Sequence, residues 1–244
     1  MSRNLVVIPT YNERENIRDI LTVSRVISPS FDVLVVDDGS PDGTSEIVRE
    51  EMEKAPDRIF MIERTGKLGL GTAYITGFKW ALEHGYEYIC EMDADFSHDP
   101  NDLIRLHEAC KNGADVAIGS RYVTGVNVVN WPMGRVLMSY FASFYVRLIT
   151  GMPFMDSTAG FKCYHRRVFD KLNLDKIHFI GYAFQIEMKF NAWKHGFKIV
   201  EVPIIFTDRT KGVSKMSKGI FKEAIFGVLQ MKIKSLFQKY EPAA

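Results

Sequence analysis

The chain has 244 residues, of which 46% are hydrophobic and 25% charged, with a formal net charge of +1. That much apolar material supports a sizeable core and excludes a disordered chain. Balanced charge excludes an overall field that would recruit nucleic acid, so any basic patch must be local.

Taken in chain order, residues 4–9 (NLVVIP) predict a buried strand and 13–27 a helix. A strand over 31–37, a helix over 43–54 and a strand over 58–63 follow. A helix over 70–84 precedes a strand over 86–92, and a helix over 101–112 precedes a strand over 114–119. Short strands alternating with helices predict βαβ units and a mostly parallel sheet, and strands apolar on both faces predict helices on both sides. The second half is less regular. Helices are expected over 134–150 and 182–195, a strand over 198–206, a basic loop over 208–219 and a final amphipathic helix over about 219–238. With no repeat and no linker, the expectation is one catalytic-type domain over 1–217 with a C-terminal helix over 218–244.

The three cysteines fit no metal spacing, which predicts free buried thiols suited to a reducing compartment. The start, MSRNLVVIPTYNERE, has no apolar signal region, and no run of 18 uncharged apolar residues occurs, so a spanning helix is not expected.

In open α/β sheets, ligands bind beyond the carboxyl ends of the strands. Those ends read PTYNE, DDGSPDG, DADFSHD and GSRY, and every one is polar. Asp93 and Asp95 are two residues apart, so extended backbone turns both carboxylates to one face. Such a pair repels itself unless a cation lies between. Mg²⁺ often takes one or two carboxylates together with a ligand's phosphates. A solvated turn is the alternative, and Asp99, just before Pro100, suits capping of the following helix better than metal binding. The stretch GKLGLGTA (66–73) is Gly-rich, but it matches neither the P-loop nor the dinucleotide fingerprint.

The ordered set VVIPTYNERENI, VVDDGSPDGT, KLGLGTAYITGF, MDADFSHDP and GSRY resembles the family 2 glycosyltransferases of the GT-A fold. With GYAFQIEM and DRTKGVSK added, the chain is similar to the dolichol-phosphate mannose synthases whose catalytic subunit lacks transmembrane helices. The resemblance covers about residues 4–217 and implies an α/β, GT-A sheet with helices on both faces. It implies that Pro9, Tyr11 and Glu13 line the nucleotide pocket and that Val36 and Asp38 hold guanosine. Asp93, Ala94 and Asp95 form the D-x-D, with Asp95 the chief ligand of Mg²⁺ or Mn²⁺ and Ser97 in support. Arg121, Arg209 and Lys215 are expected to contact the donor phosphates. The catalytic set so implied is Asp95, Arg121, Arg135 and Arg209.

A leaving nucleoside diphosphate needs cations where its charge develops, which the basic loop could deliver when donor is bound. A polyprenyl phosphate acceptor needs no general base, because its oxygen is already anionic; it needs a cation and a greasy surface. Arg135, ahead of an apolar aromatic helix, matches the family's position for the lipid phosphate. Phe221, Ile225, Phe226, Leu229, Ile233 and Phe237, with Lys222, Lys232, Lys234 and Lys239, would suit a helix in a headgroup interface or one packed on the sheet. The expectation is therefore inverting transfer of mannose from GDP-mannose to polyprenyl phosphate by a peripheral enzyme on the cytoplasmic face of a membrane. A membrane-anchoring partner subunit is left open. A UDP-sugar donor such as UDP-glucose, or a nucleotidyltransferase or sugar-nucleotide-binding module without glycosyl transfer, are the alternatives. By the same resemblance Asp156, Gln185 and Glu187 match family positions near the reaction centre; Asp156 could orient Arg135 or the sugar, Glu187 could be structural, and none is given a firm role.

Overall fold

The computed structural model describes residues 3–26, 31–212 and 219–240. The first half alternates as the patterning predicts: β1 (Asn4–Thr10), α1 (Ile17–Val26), β2 (Phe31–Asp37), α2 (Thr44–Lys54), β3 (Ile59–Glu63), α3 (Leu70–Glu83), β4 (Tyr88–Glu91), α4 (Asp102–Lys111) and β5 (Val116–Ser120). Then come β6 (Val128–Val129), α5 (Met133–Thr150), β7 (Lys162–His165), α6 (Arg167–Lys171), α7 (Ala183–Lys194), β8 (Ile199–Pro203), β9 (Phe206–Thr207) and α8 (Gly219–Phe237).

The main sheet has seven strands in the order β3-β2-β1-β4-β7-β5-β8. β7 alone runs antiparallel, between β4 and β5. The strand order reverses between β1 and β4, which opens a crevice at their carboxyl ends. Both faces of the sheet are dry. Leu5, Val7, Leu34 and Val36 point into one core with α3, α5, α7 and α8. Val6, Ile8, Val33 and Val35 point into the other with α1, α2 and α4. This period of two explains why the strand sequences read as continuous apolar runs.

Two boundaries depart from expectation. α1 starts at Ile17 rather than residue 13 because the preceding backbone is held as a loop. There the Asn12 N–H donates to Ser40 Oγ at 2.9 Å and the Glu13 N–H to Thr44 Oγ1 at 3.0 Å. The strand expected over 198–206 is two strands, because the chain leaves the main sheet after Pro203 and β9 pairs with β6 instead. The C-terminal helix belongs to the main body, with Val228 and Met231 in the same core as the sheet. α8 lies beside α5, where the Tyr145 hydroxyl donates to the Ile225 carbonyl at 3.0 Å and Lys232 Nζ to that of Thr150 at 3.2 Å.

Candidate active site

The end of β1 and the loop after β2 are locked together by polar contacts to one buried carboxylate. Asp37, fully buried, accepts from Thr10 Oγ1 at 2.8 Å, Ser40 Oγ at 2.6 Å and Ser45 Oγ at 3.1 Å. Asp37 is thus structural, and its neighbour Asp38 faces the crevice. Asp38 Oδ1 accepts from Arg64 Nε at 2.6 Å and Oδ2 from the Leu68 N–H at 3.1 Å.

After β4 the chain turns sharply at Phe96, a non-glycine residue in the left-handed region (φ 59°). Backbone strain of that kind concentrates at functional sites. The turn brings the Ser97 N–H to Asp95 Oδ1 at 3.0 Å. Asp95 Oδ2 meets Arg209 Nη2 at 2.6 Å, with Glu13 4.0 Å from the same guanidinium. Burial and repulsion from Asp95 push the Asp93 carboxyl up to about 7. Burial acts the same way on Asp95, but Ser97 and the Arg209 guanidinium outweigh it and hold that carboxyl below its ordinary value. The two carboxylates store negative charge that a cation would relieve.

Two cavities meet here. The first, of about 420 Å³, is lined by Pro9, Tyr11, Glu13, Asp38, Asp93, Ala94, Asp95, Ser97, Arg135 and Arg209 among others. The second, of about 380 Å³, is more apolar and runs along α5 past Arg135, Met138, Ser139 and Ala142, with Trp131, Ile186 and Ile204 opposite. Leu70, Asp93, Arg135, Tyr182 and Phe206 line both, so they mark the junction. Both volumes suit a small-molecule ligand. Arg135 stands there over the Trp131 ring (4.1 Å to its centroid), with Nη1 2.7 Å from Asp208 Oδ1.

Some expected residues lie elsewhere. Val36 is fully buried under α3, where a Cβ on Gly77 would lie 3.5 Å from its Cγ2, so its side chain does not reach the nucleotide cavity. Arg121 lines the second cavity rather than the first, and it is committed to Asp156. Its Nε and Nη2 each donate to a different carboxylate oxygen at 2.7 Å, its N–H donates at 2.9 Å, and Nη2 also reaches Thr158 Oγ1 at 2.9 Å. Asp156 therefore orients Arg121 and not Arg135. Lys215 lies outside the described residues. Asp99 is exposed, and its carboxylate accepts from the Asn101 N–H at 2.9 Å ahead of α4.

Other residues of the site escaped the sequence reading. Lys67 lines the first cavity and lies 5.0 Å from the Tyr11 ring centroid. It belongs to KLGLGTAYITGF, one of the motifs that carry the family resemblance. Two glycines of that stretch, Gly69 and Gly71, serve close packing. A Cβ on Gly71 would lie 2.7 Å from the Phe179 carbonyl oxygen, and one on Gly69 3.1 Å from that of Ile180. They let loop 177–182 close over the cavity and bring Tyr182 into it. Glu187, otherwise without a role, holds that loop by accepting from the N–H groups of His178 and Phe179 at 2.9 and 3.0 Å. Gln185 lines the second cavity, with Nε2 donating to buried Glu91 at 2.7 Å.

Among the described residues no group of three or more His, Cys, Asp or Glu side chains could hold a metal by itself. The residues do fit a hard divalent cation that arrives with a diphosphate. Asp93 and Asp95 supply the carboxylates, and the buried Ser97 hydroxyl beside them has no hydrogen-bond partner among the described residues.

A crevice at the strand-order reversal, floored by carboxylates and rimmed by guanidinium groups, marks an α/β protein whose ligand site suits an anionic, phosphorylated molecule. The comparisons narrow that class. The chain belongs to glycosyl transferase family 2, whose sequence model matches residues 5–173, and it is a glycosyltransferase. It is similar to the polyprenol monophosphomannose synthase of Mycolicibacterium smegmatis, with 48% identity covering 95% of this chain and 88% of that protein. It is also similar to the undecaprenyl-phosphate mannosyltransferase of Micrococcus luteus, with 46% identity covering 93% and 92%. Among solved structures, glucosyl-3-phosphoglycerate synthase from Mycobacterium tuberculosis, in complex with Mn²⁺, UDP and glucosyl-3-phosphoglycerate, matches with a TM-score of 0.67 over 96% of this chain and 79% of that one, at 16% identity. A mannosyltransferase from Pyrobaculum calidifontis in complex with GDP-Man and Mn²⁺ matches with a TM-score of 0.61 over 98% and 66%, at 19% identity. At such identities these two structures bear on the fold, which is the mixed, mostly parallel GT-A sheet.

Proposed function

We propose that this glycosyltransferase moves mannose from GDP-mannose to a polyprenyl phosphate with inversion at the anomeric carbon. The observation that carries the reading is Arg135, placed where a polar cavity floored by Asp93 and Asp95 opens into an apolar one. A sugar nucleotide in the first cavity and a lipid phosphate entering through the second would bring the anomeric carbon and the acceptor oxygen together at that junction. The names of the mannosyltransferase relatives support mannose as the transferred sugar and a polyprenyl phosphate as the acceptor.

Asp95, with Asp93 and Ser97, would hold Mg²⁺ or Mn²⁺, which when bound supplies charge neutralisation to the donor diphosphate. Arg209 and Lys67 line the same cavity and are placed to take the leaving GDP's negative charge. Arg135 is placed to bind the acceptor phosphate. One of its anionic oxygens forms the new bond to the anomeric carbon as the bond to the diphosphate oxygen breaks. No proton has to be removed, so the site requires no general base. Tyr182 and loop 177–182 cover the sugar and exclude water, whose attack would hydrolyse the donor.

The acceptor also implies a membrane surface. No helix among the described residues is long and apolar enough to cross a membrane. α5 and α8 nevertheless leave large apolar side chains in solvent, including Phe141 (60% exposed), Leu148 (70%), Phe226 (67%) and Phe237 (86%). A paired apolar face of this kind marks an interaction surface, and we assign it to the membrane that carries the lipid acceptor, on the side supplied with sugar nucleotide. A membrane-anchoring subunit would cover the same face and is distinguished by the vesicle test described below.

The reading is tested by transfer of radiolabelled mannose from GDP-mannose to a short polyprenyl phosphate, with Mn²⁺ or Mg²⁺ and with EDTA. The expected outcome is labelled lipid that EDTA abolishes and that Asp95→Ala lowers by about 10²–10³-fold. Labelling from UDP-glucose but not from GDP-mannose would replace the donor. Donor cleavage unaffected by any polyprenyl phosphate would replace the acceptor.

A further inference from the structure

Two of the site's guanidinium groups are paired with carboxylates, and the two pairs meet at adjacent residues. Asp208 grips Arg135, the proposed acceptor-phosphate ligand, while Arg209 grips Asp95, the proposed metal ligand. The link is a single atom. Asp208 Oδ1 accepts from Arg135 Nη1 at 2.7 Å and also from the Arg209 backbone N–H at 3.1 Å. The segment is tied to the metal loop as well, through the Thr207 N–H donating to the Ser97 carbonyl at 3.1 Å. We propose that Asp208 is a positioning residue that withholds Arg135 from the acceptor phosphate until the sugar nucleotide and its metal draw Arg209 away from Asp95. This inference rests on the donor and acceptor reading given above.

The physical sequence runs from charge to backbone. A divalent cation at Asp95 repels the guanidinium already there, and the incoming diphosphate offers that guanidinium a stronger, bidentate partner. Arg209 then moves from carboxylate to diphosphate. Its N–H shares Oδ1 with Arg135, so reorientation of the 208–209 peptide disturbs the contact that holds Arg135. The Arg135–Asp208 pair is about a third exposed on each side (36% and 28%), so it is weak enough to release. Arg135 becomes available for the lipid phosphate only once the donor is seated. Donor and acceptor binding are therefore coupled, and the coupling is reciprocal.

The test measures binding without turnover. Farnesyl phosphate, kept below its micelle concentration, is titrated calorimetrically into wild type and Asp208→Asn, each with and without GDP plus Mn²⁺. Wild type should bind farnesyl phosphate more tightly when GDP and Mn²⁺ are present, by a factor within the usual coupling range of about 5–150-fold. Asp208→Asn should bind tightly without them and gain little from their addition. Adding Arg135→Gln to Asp208→Asn should abolish the gain, which ties it to Arg135. Equal tightening by Asp208→Asn in both states would mean simple removal of a negative charge and would overturn the latch. Unchanged affinity in a variant that melts like wild type overturns it too. If neither protein binds farnesyl phosphate in either state, the acceptor reading fails and takes this inference with it. Normal GDP–Mn²⁺ binding and acceptor binding without coupling would sink the latch alone.

Discussion

Arg121 and Asp156 form a buried charged pair at the wall of the second cavity. Asp156 is fully buried and Arg121 nearly so. Burial alone would lower the Arg121 guanidinium, but Asp156 beside it raises it; burial would raise the Asp156 carboxyl, but Arg121 holds it below its ordinary range. Removing one partner leaves the other charge buried and uncompensated, so Asp156→Ala should cost about 3–5 kcal/mol of stability in chemical denaturation. The pH dependence has a definite sign. A carboxyl with a folded-state pKa below its unfolded value of about 4 contributes stability that is complete above that value. That contribution is lost as pH falls through the folded-state pKa. Asp156→Asn should therefore be less stable than wild type near neutrality, with the gap narrowing below about pH 4. A gap that is constant with pH would show that Arg121 does not set the ionisation of Asp156.

Helix α3 carries two glycines whose close contacts have different consequences. At Gly77 a Cβ would lie 2.5 Å from Val7 Cγ1, inside the core between helix and sheet. Alanine gains about 1 kcal/mol of helix propensity, but overpacking a stiff valine costs about 1–3 kcal/mol. Gly77→Ala should thus be destabilised by up to about 2 kcal/mol with an unchanged KM for the sugar nucleotide. At Gly71 the added Cβ would press on the Phe179 carbonyl and on Phe184, displacing the loop that carries Tyr182. Gly71→Ala should raise KM for the donor several-fold as well as lower the melting temperature. Steady-state kinetics and thermal unfolding of the two variants separate a core contact from a lid contact. An unchanged KM in Gly71→Ala would mean that loop 177–182 does not shape the donor site.

At the scale of the whole molecule, the catalytic crevice and the exposed apolar face share one element. α5 presents Arg135 and Met138 to the second cavity and Phe141, Phe144 and Leu148 to solvent beside α8. An acceptor with a charged head and an apolar tail can then pass from the membrane to the junction along one helix. Each phenylalanine transferred from water into the interface contributes about 1.5–3 kcal/mol. The double variant Phe141→Glu/Phe226→Glu should lose at least about 10²-fold in partitioning to anionic vesicles in a flotation assay. Its turnover of a short, water-soluble prenyl phosphate should remain near that of wild type. Retention of vesicle binding would reassign the face to a protein partner.

Much of this organisation was legible in the amino-acid order because it depends on local physics. Apolar runs covered on both faces announced the parallel strands, and polar strand ends announced the crevice. Asp93 and Asp95, two apart after an apolar strand, announced a place for a cation. Pairing across the fold was not legible. Nothing local says that Asp156 holds Arg121, that Asp208 holds Arg135, or that Arg209 rests on Asp95, since these partners are brought together by loops far apart in the chain. The family resemblance implied a place in the nucleotide pocket for Val36, yet the pleat turns its side chain into the core. The stripe of α8 that could have packed on the sheet was decided by packing: Val228 and Met231 took the core, and Ile225, Phe226, Leu229 and Ile233 were left outside. Periodicity records which residues share a face, but only the assembled neighbours determine what that face meets.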